Sequence, residues 1–174
     1  YMTASGQAEV AISNERKAEI VLVLDYSGSM AEVSGGQVKY EAMRIAANKL
    51  VNDLASSNPE NVKFGLVPFS HHVYTSLEAD HVITKSDGTW TGCTQDRPYP
   101  YNLSEESPDA NPASQWNQPM APEHAGWDCS GYAPRHLKIQ PLTDKFKSIT
   151  GQLDKMLPYA WTHISLGLEF GFHV

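Results

Sequence analysis

The amino-acid sequence predicts an α/β fold with a doubly wound, mostly parallel sheet and helices on both of its faces. Residues 20–24 (Ile-Val-Leu-Val-Leu) form an unbroken aliphatic run, and residues 62–69 (Val-Lys-Phe-Gly-Leu-Val-Pro-Phe) form a second apolar run. A helical pattern begins at Gln37, between the two runs. A continuous aliphatic run bounded by turn residues is typical of a strand buried on both faces, as in a parallel sheet flanked by helices.

Length and charge limit the classes of protein to which the chain can belong. Its 174 residues are enough for a single domain, residues 1–174, with a sizeable core. The net charge of −7 argues against binding to nucleic acid or to anionic membrane surfaces. No apolar run of about 18 residues occurs, and no signal peptide is visible. Because Tyr1 is not an initiator methionine, we expect the chain to be part of a longer protein.

Three oxygen-bearing side chains follow the first apolar run at intervals of two residues: Asp25, Ser27 and Ser29. They lie just past the carboxyl end of a predicted strand, where open α/β sheets bind their ligands. One carboxylate and two hydroxyls suit a hard divalent cation, Mg²⁺ or else Mn²⁺ or Ca²⁺, better than a thiolate-seeking metal. The alternative is a turn that caps a helix and binds no metal.

The helical pattern from Gln37 repeats apolar residues at intervals of three and four. It ends before Pro59, since proline cannot continue a helix. The residues predicted to pack on the sheet are Val38, Met43, Ala46, Ala47, Leu50 and Leu54. Pro68 cannot donate a hydrogen bond to a neighbouring strand, so it is expected at a strand end or at a sheet edge. Residues 1–12 are predicted to form an extended lead-in or an edge strand.

Residues 86–140 are predicted to form a long, irregular insertion rich in proline and aromatic residues. The segment holds seven of the 11 prolines, three of the four tryptophans and both cysteines. An irregular stretch of this length is usually functional or a linker, and its aromatic residues argue against disorder. They either pack the insertion onto the domain, which we favour, or stack on a ligand. These residues are Trp90, Tyr99, Tyr101, Trp116, Trp127 and Tyr132.

Cys93 and Cys129 are the two cysteines of the chain. In a segment without regular secondary structure, a disulfide would supply order, worth about 3–4 kcal/mol in the loop-entropy model. Such a bond requires an oxidising compartment. Two free thiols or half of a zinc site are the alternatives, although this spacing matches no zinc motif. We predict the disulfide.

Regular structure is predicted again from Pro141 onward. Thr143 is a candidate N-cap for a helix that Pro158 ends. The buried face of that helix is predicted to contain Phe146, Ile149, Leu153 and Met156 or Leu157. The apolar residues of a second short helix are Leu166, Leu168, Phe170 and Phe172. Gly167 and Gly171, four positions apart, would let this helix approach its neighbour closely.

The segment Asp25-Tyr26-Ser27-Gly28-Ser29 resembles the Asp-x-Ser-x-Ser motif of von Willebrand factor type A (vWA) domains, which have a Rossmann-like sheet. In that family the motif opens the metal-ion-dependent adhesion site (MIDAS). Over nearly the whole chain, the sequence looks most like the vWA domain of TadG-like proteins of the bacterial Tad (tight adherence) pilus system. The cysteine-containing insertion suggests this branch. The similar segments are residues 19–30, 64–70, 90–93 with Arg97, Cys129, 141–143 and 162–172.

The resemblance implies an adhesion or interaction module and not an enzyme. Thr162, on a separate loop just before a helix, would supply a further hydroxyl to the cation, which would be Mg²⁺, Mn²⁺ or Ca²⁺. An Asp or Glu carboxylate of a partner protein would then replace a water molecule on the cation. Locally, Thr162 is equally well explained as the N-cap of the helix from His163 onward, and this role is compatible with metal binding.

The resemblance also implies an extracytoplasmic protein, in the periplasm or at the cell surface, with pilus or envelope proteins as partners. Such proteins carry a membrane-anchored N-terminal segment that this chain lacks. In the family, an aspartate on a third loop completes the metal site, and here it would lie beyond Val174. We therefore expect a sheet that is incomplete at the C-terminus and a chain that is a fragment of a longer one.

Two other functions are left open. The seven histidines suggest a metal-dependent hydrolase, but none falls in a His-Glu-x-x-His pattern. His71 and His72 would also point to opposite faces of a regular strand. The other alternative is a structural pilus or envelope component with a vestigial metal site. Divalent-dependent binding without turnover would distinguish the adhesion module from both.

Overall fold

Nine strands and three α-helices, together with short 3-10 helices, are present in the described parts of the chain. The computed structural model describes residues 17–77, 81–83, 90–108, 113–118 and 129–174. The strands are β1 (Ala18–Asp25), β2 (Val33–Ser34), β3 (Gln37–Val38), β4 (Val62–Phe69), β5 (Val73–Tyr74), β6 (Val82–Ile83), β7 (Cys93–Thr94), β8 (Trp116–Asn117) and β9 (Gln140–Thr143). The helices are α1 (Lys39–Ser57), α2 (Phe146–Leu153) and α3 (Ile164–His173). The lead-in predicted for residues 1–12, and Trp127, lie outside the described residues.

The centre of the fold is a parallel pair formed by the two strands that the apolar runs predict. β1 and β4 are in register over all eight residues, from Ala18 opposite Val62 to Asp25 opposite Phe69. β4 is buried at almost every position, as expected for a strand covered on both faces. Parallel pairing brings the carboxyl ends of both strands to the same edge of the sheet. Pro68 lies one residue before the end of β4, where its missing donor is tolerated.

The strands on the other side of β4 run antiparallel to it, so the sheet is mixed. β5 pairs with the carboxyl end of β4, β9 pairs with its middle at Phe64 and Leu66, and β7 extends the sheet beyond β5. Among the described strands of this sheet only β1 and β4 are parallel, which differs from the mostly parallel sheet that the sequence predicts. For β5 the reason is its three-residue connection to β4, which is too short for a parallel crossover.

β1 has a neighbouring strand on only one side in the part of the chain that the structure describes. Its residues are mostly half-buried, whereas those of β4 are mostly buried. An unpaired strand edge presents N–H and C=O groups that can pair with another strand. The predicted incompleteness of the sheet is compatible with this open edge and stays a prediction, as does the doubly wound arrangement.

Helices pack on both faces of the sheet, and each face has its own apolar core. Side chains alternate along β1, so Leu22 and its even-numbered neighbours face α1 and α2, whereas Val21 and Val23 face α3. The core beneath α1 and α2 includes Leu22, Val51, Phe64, Leu66, Ile149 and Leu153. The core beneath α3 includes Val67, Phe69, Val73, Leu166 and Phe170.

The buried face of α1 differs in part from the predicted one. The helix begins at Lys39, two residues after the predicted start. Ala47 is buried, as predicted, but Ala46 and Leu50 are exposed, so their assignment to the core is wrong. Val51 is fully buried in place of Leu50. The apolar pattern does not resolve this difference because adjacent apolar residues occur in the helix and only contact with the sheet selects among them.

The predicted face of α2 is mostly confirmed. Ile149 and Leu153 are fully buried, and Met156 is the buried member of the pair that follows the helix. Thr143 is not the N-cap: it ends β9, and Lys145 occupies the cap position. The hydroxyl of Thr143 instead accepts a hydrogen bond from the Lys145 N–H at 3.1 Å, which closes a local turn between strand and helix.

Two glycines let α3 lie directly against the sheet, as the sequence predicts. A Cβ atom at Gly167 would lie 2.5 Å from the Phe69 ring, and one at Gly171 would lie 2.5 Å from Val23. Both distances are far shorter than a van der Waals contact of about 3.5–4.0 Å. A larger residue at either position would therefore push the helix away from the sheet.

Replacing Gly167 with alanine is expected to lower the free energy of unfolding by about 1–3 kcal/mol, because the new methyl group would overlap the Phe69 ring. Urea unfolding followed by circular dichroism measures the change. Gly151→Ala in α2 is the control, since no atom lies within 4 Å of its added Cβ. We expect this variant to be more stable by about 0.5–1 kcal/mol. Equal effects of the two substitutions would contradict the close approach of α3.

The predicted disulfide is confirmed and ties the middle of the chain to the main sheet. Cys93 and Cys129 are bonded to each other, and Cys93 lies in β7, which pairs with β5. Trp116 and Tyr132 are buried, whereas Tyr99 is exposed. Within the described ranges, therefore, the first two of these aromatic residues pack the segment onto the domain, as we predict for the insertion.

A buried ion pair joins the same part of the chain to α3. The side chains of Arg97 and Glu169 are both buried, with Nε 2.8 Å from Oε1. The guanidinium also donates hydrogen bonds to the carbonyls of Ser104 (2.9 Å) and Glu106 (2.7 Å). Burial raises the pKa of the Glu169 carboxyl above its usual value, and Arg97 opposes this effect. Because a lone buried charge is strongly unfavourable, Arg97 anchors this segment on α3.

His173, the last residue of α3, takes part in this anchor in its neutral form. Its Nε2 lies 2.8 Å from Nη2 of Arg97. A guanidinium only donates hydrogen bonds, so Nε2 must be the acceptor and cannot carry a proton. Burial, followed by the positive charge of Arg97, lowers the pKa of His173 below its usual value, and Glu105 acts in the opposite direction.

We expect the protein to lose stability as the pH falls below about 6.5, the pKa of histidine in an unfolded chain. The lowered pKa of folded His173 means that the unfolded chain binds more protons just below this pH. The stabilisation is complete above pH 6.5 and is lost as the pH falls towards the folded-state pKa.

Thermal unfolding midpoints from about pH 5 to about pH 8 test this expectation. His173→Gln should flatten the pH dependence, because a glutamine oxygen can accept from Arg97 without titrating. The control is His136→Asn, at an exposed position with φ of 57° that asparagine tolerates. A wild-type pH dependence in the His173 variant would contradict this role.

Candidate functional site

The loop after β1 brings a carboxylate and two hydroxyls together at the carboxyl edge of the sheet. The Ser27 N–H donates to Asp25 Oδ1 at 2.7 Å, and Ser27 Oγ lies 3.3 Å from Ser29 Oγ. A short 3-10 helix, Gly28–Ala31, follows. Ser27 occupies its N-cap position, but the Ser27 side chain forms no capping hydrogen bond. This observation argues against a purely capping role for the motif.

A second loop, between α2 and α3, lies directly against the first. The Tyr159 N–H donates to the Tyr26 carbonyl, and the Gly28 N–H donates to the Ala160 carbonyl, both at 2.7 Å. Ala160 has a φ of 60°, a left-handed conformation that is uncommon for residues other than glycine. Such a conformation persists only when the surrounding structure holds it, and it is frequent at functional sites. It turns the chain two residues before Thr162.

The residue after Thr162 is bonded to the loop that follows β4. The His163 N–H donates to the Ser70 carbonyl at 2.8 Å. Hydrogen bonds on both sides of Thr162 therefore connect its loop to the loops that follow β1 and β4. Thr162 itself is exposed. The structure thus places the predicted residues on two adjacent loops at one edge of the sheet.

The oxygens of the first loop fit a hard divalent cation. Two oxygens in neighbouring positions around an octahedral Mg²⁺ lie about 3 Å apart, and the two serine hydroxyls are 3.3 Å apart. The bond from Ser27 to one oxygen of Asp25 orients the carboxylate. No cluster of three or more His, Cys, Asp or Glu side chains that could hold a metal occurs among the described residues. A cation at this edge would therefore depend on the single carboxylate of Asp25 together with hydroxyl oxygens and water.

Two residues that position these loops, Ser70 and Tyr132, were not identified from the sequence. Ser70 Oγ lies 2.8 Å from the Tyr132 hydroxyl, which also accepts a hydrogen bond from the His72 N–H at 2.8 Å. Burial raises the pKa of Tyr132 to about 12, although the bonds with Ser70 and His72 oppose this, so the hydroxyl is neutral. Ser70 is noticeable as the first polar residue after a buried strand. Nothing near Tyr132 in the sequence indicates its contact with Ser70, which lies 62 positions earlier in the chain.

Tyr132→Phe is expected to reduce the free energy of unfolding by about 1–3 kcal/mol, because the buried Ser70 hydroxyl and the His72 N–H lose this hydrogen-bond partner. Chemical denaturation measures the loss. The control is Tyr99→Phe, since Tyr99 is 80% exposed and its hydroxyl is solvated. Similar stabilities of the two variants would show that Tyr132 does not hold the loop.

The histidines near this edge are arranged differently from the sequence-based expectation. His71 and His72 lie in the turn between β4 and β5, and their ring centres are 4.5 Å apart. The argument that strand geometry separates them is therefore wrong. His163 Nε2 lies 3.3 Å from Asp96 Oδ2, so this ring interacts with a carboxylate. None of these contacts forms a recognisable hydrolase centre.

Comparison with protein families supports a vWA domain in the first half of the chain. Residues 19–88 match the family model of the von Willebrand factor type A domain. The matched part is less than half of the chain and includes the Asp25 loop, but not Thr162. Comparisons with curated proteins and with solved structures each gave no significant match.

vWA domains are generally interaction or adhesion modules, typically without enzymatic activity, and are commonly extracellular. They often bind a divalent metal at the MIDAS. The described part of the chain contains no helix that is both long enough and apolar enough to cross a bilayer.

Proposed function

We propose that the protein is an extracytoplasmic adhesion or interaction module that binds a divalent cation through Asp25, Ser27, Ser29 and Thr162. The cation is Mg²⁺, or else Mn²⁺ or Ca²⁺, and it bridges to an Asp or Glu carboxylate of a partner protein. The observation that carries the proposal is the set of backbone hydrogen bonds on both sides of Thr162. These bonds bring a second hydroxyl-bearing loop to the loop of the Asp-x-Ser-x-Ser motif.

The chemistry of the donor set supports binding without turnover. One carboxylate and three hydroxyls do not satisfy the six positions of Mg²⁺, so water or a partner oxygen completes its coordination. An incoming carboxylate exchanges with such a water molecule. When bound, the cation would supply an electrostatic bridge between the two proteins, and no bond in the partner is broken.

We further propose a TadG-like protein that acts in Tad pilus assembly or surface adhesion. This assignment rests on the sequence resemblance, including the cysteine-containing segment. The disulfide between Cys93 and Cys129 supports an extracytoplasmic location, since such bonds persist in oxidising compartments. Membrane anchoring would be through an N-terminal segment, as the resemblance implies.

We also propose that the sheet is continued by a strand along the open edge of β1. The unpaired edge within the described residues supports this proposal because the open edge of a long apolar strand can pair with another strand. In the family resemblance, a later strand also carries the aspartate of the third loop. A longer chain that includes this strand should therefore bind the cation more tightly than residues 1–174.

Titration calorimetry with Mg²⁺ and Mn²⁺ tests the metal site. Asp25→Asn keeps the acceptor for the Ser27 N–H but removes the charge. We therefore expect the affinity for the cation to fall at least about ten-fold, a loss of at least about 1.4 kcal/mol of binding free energy. Thr162→Val keeps the shape and removes the hydroxyl, so its affinity should also fall.

The control for these variants is Asp144→Asn. Asp144 is exposed and lies between β9 and α2, so it belongs to neither of the two loops proposed to bind the cation. We expect unchanged cation binding. If the parent protein, prepared as a longer chain, binds neither cation, the bridging function is wrong and a structural pilus component becomes the better description. Equal cation affinities of the parent protein and Asp25→Asn would show that the cation binds at a different place on the protein.

A further inference from the structure

A basic groove lies between α2 and the segment that leads into β9. Its volume is about 520 Å³, within the range of roughly 300–1,000 Å³ that is typical of ligand sites. Lys138, Lys147 and Lys155 line the groove together with His136, and all four residues are exposed. Among the residues that the structure describes, no Asp or Glu belongs to the lining. The groove is therefore open to solvent and positively charged.

The positive charge of this region contrasts with the charge of the whole chain. Residues 135–155 contain five Lys or Arg residues and two Asp residues, an excess of three positive charges, whereas the chain has a net charge of −7. Within its described part, no salt bridge joins any of the three groove lysines to a carboxylate. Like charges that lie close together repel one another. A negatively charged ligand in the groove would relieve this repulsion.

The neutral polar side chains of the groove are hydrogen-bonded to one another. Gln140 Nε2 donates to Gln152 Oε1 at 2.6 Å, and the Ser148 hydroxyl donates to Gln140 Oε1 at 3.2 Å. Gln152 Nε2 also donates to the carbonyls of His136, at 2.9 Å, and Lys138. These bonds attach α2 to the segment before β9 and hold the two walls of the groove together. An ammonium group only donates hydrogen bonds, so the lysines require a ligand that supplies acceptors.

A glycine of α2 leaves an open space between two of the lysines. Lys147, Gly151 and Lys155 all line the groove, and they succeed one another at intervals of four along α2 and the turn that ends it, which places them on one side of the helix. No atom lies within 4 Å of a Cβ added at Gly151. The two lysines therefore flank a space that a chain of the ligand can enter.

We propose that this groove binds an acidic segment of a partner protein. Asp or Glu carboxylates of the segment pair with the ammonium groups of Lys138, Lys147 and Lys155, and its main chain passes over Gly151. Tyr74 and Ala133 also line the groove and offer apolar surface to the uncharged parts of the segment. The occupant is therefore defined by several carboxylates on one short stretch of polypeptide.

Size and charge favour a polypeptide over other anions. A single phosphate or carboxylate group fills only part of a groove of about 520 Å³. A nucleic acid strand carries one negative charge for about every 3.4 Å of its length, so the parts that extend beyond the groove would be repelled by a chain with a net charge of −7. An acidic segment places its few charges within the groove.

This contact is separate from the proposed cation site. None of the residues that line the groove is a proposed metal ligand, and pairing between ammonium and carboxylate groups requires no metal. Because the lysines are exposed, the contact should weaken as the salt concentration rises.

Nuclear magnetic resonance titration of the isotope-labelled protein tests the proposal. The probe is the peptide acetyl-Glu-Glu-Leu-Glu-Glu-amide, and the comparison peptide has glutamine in place of each glutamate. The glutamate peptide should shift the amide resonances of Lys147 and Gly151 and bind at least about ten-fold more tightly, because several ion pairs are gained. Equal affinities of the two peptides would overturn the proposal.

Lysine variants separate the groove from the general charge of the protein. Lys147→Gln and Lys155→Gln should each lower the affinity for the glutamate peptide about two- to five-fold. Lys49→Gln removes an equal charge on α1, outside the groove, and should change the affinity less than about two-fold, since exposed distant charges are screened. Equal losses in Lys49→Gln and the groove variants would overturn a specific site.

A bulky side chain at Gly151 should block the groove without unfolding the protein. Gly151→Phe should lower the peptide affinity at least about ten-fold, whereas its free energy of unfolding should not fall, because phenylalanine is a better helix former than glycine. Gly151→Ala is the matched control and should bind the peptide nearly as the parent does. Parent-like affinity in Gly151→Phe would overturn the proposal.

An added lysine tests the same groove by a gain of affinity, which misfolding cannot produce. Ala133→Lys adds a positive charge at an exposed position of the lining and should raise the peptide affinity about two- to five-fold. Ala46→Lys adds the same charge at an exposed position of α1 and should change the affinity less than about two-fold. Equal gains, or no gain in Ala133→Lys, would contradict the proposal.

Competing anions and EDTA identify the source of the ligand and its relation to the cation. Inorganic phosphate and a short oligothymidylate should each bind more weakly than the glutamate peptide; equal or tighter binding of either would overturn a polypeptide occupant. Addition of EDTA should leave peptide binding unchanged. Loss of binding in EDTA would overturn a contact that needs no metal, whereas failure of cation binding alone would leave this contact intact.

Discussion

The structure depends above all on the parallel pairing of β1 with β4. The register over eight residues places Asp25 opposite Phe69, so the polar loops that follow both strands emerge at one edge. Hydrogen bonds then add the loop between α2 and α3 to this edge, through Tyr26, Gly28 and Ser70. A slip of the register would separate these loops, because side chains alternate between faces at every residue. The candidate cation site is therefore a consequence of strand pairing.

The middle of the chain is held on this framework by interactions of three kinds. The disulfide attaches it to β7, the Tyr132 hydroxyl attaches it to the loop after β4, and the buried Arg97–Glu169 pair attaches it to α3. Buried polar contacts of this kind tolerate few alternatives, because any partner left alone is desolvated without compensation. They hold the described parts of this proline-rich segment, which have few regular elements, against the sheet and α3.

The sequence by itself determined the local features. The two apolar runs specified β1 and β4, and the three- and four-residue spacing specified α1. Gly167 and Gly171 indicated the close approach of α3, and the two cysteines indicated the disulfide. Apart from the disulfide, whose two cysteines are 36 positions apart, these features depend on residues close together in sequence, whose spacing shows the period of a strand or a helix. Only the tertiary structure decided the mixed sheet, the choice of Val51 over Leu50 for the core, the role of Tyr132 and the Arg97–Glu169 anchor. Each of these depends on contacts between residues far apart in sequence, whose geometry is set by packing and by hydrogen bonding in the buried interior and not by local periodicity.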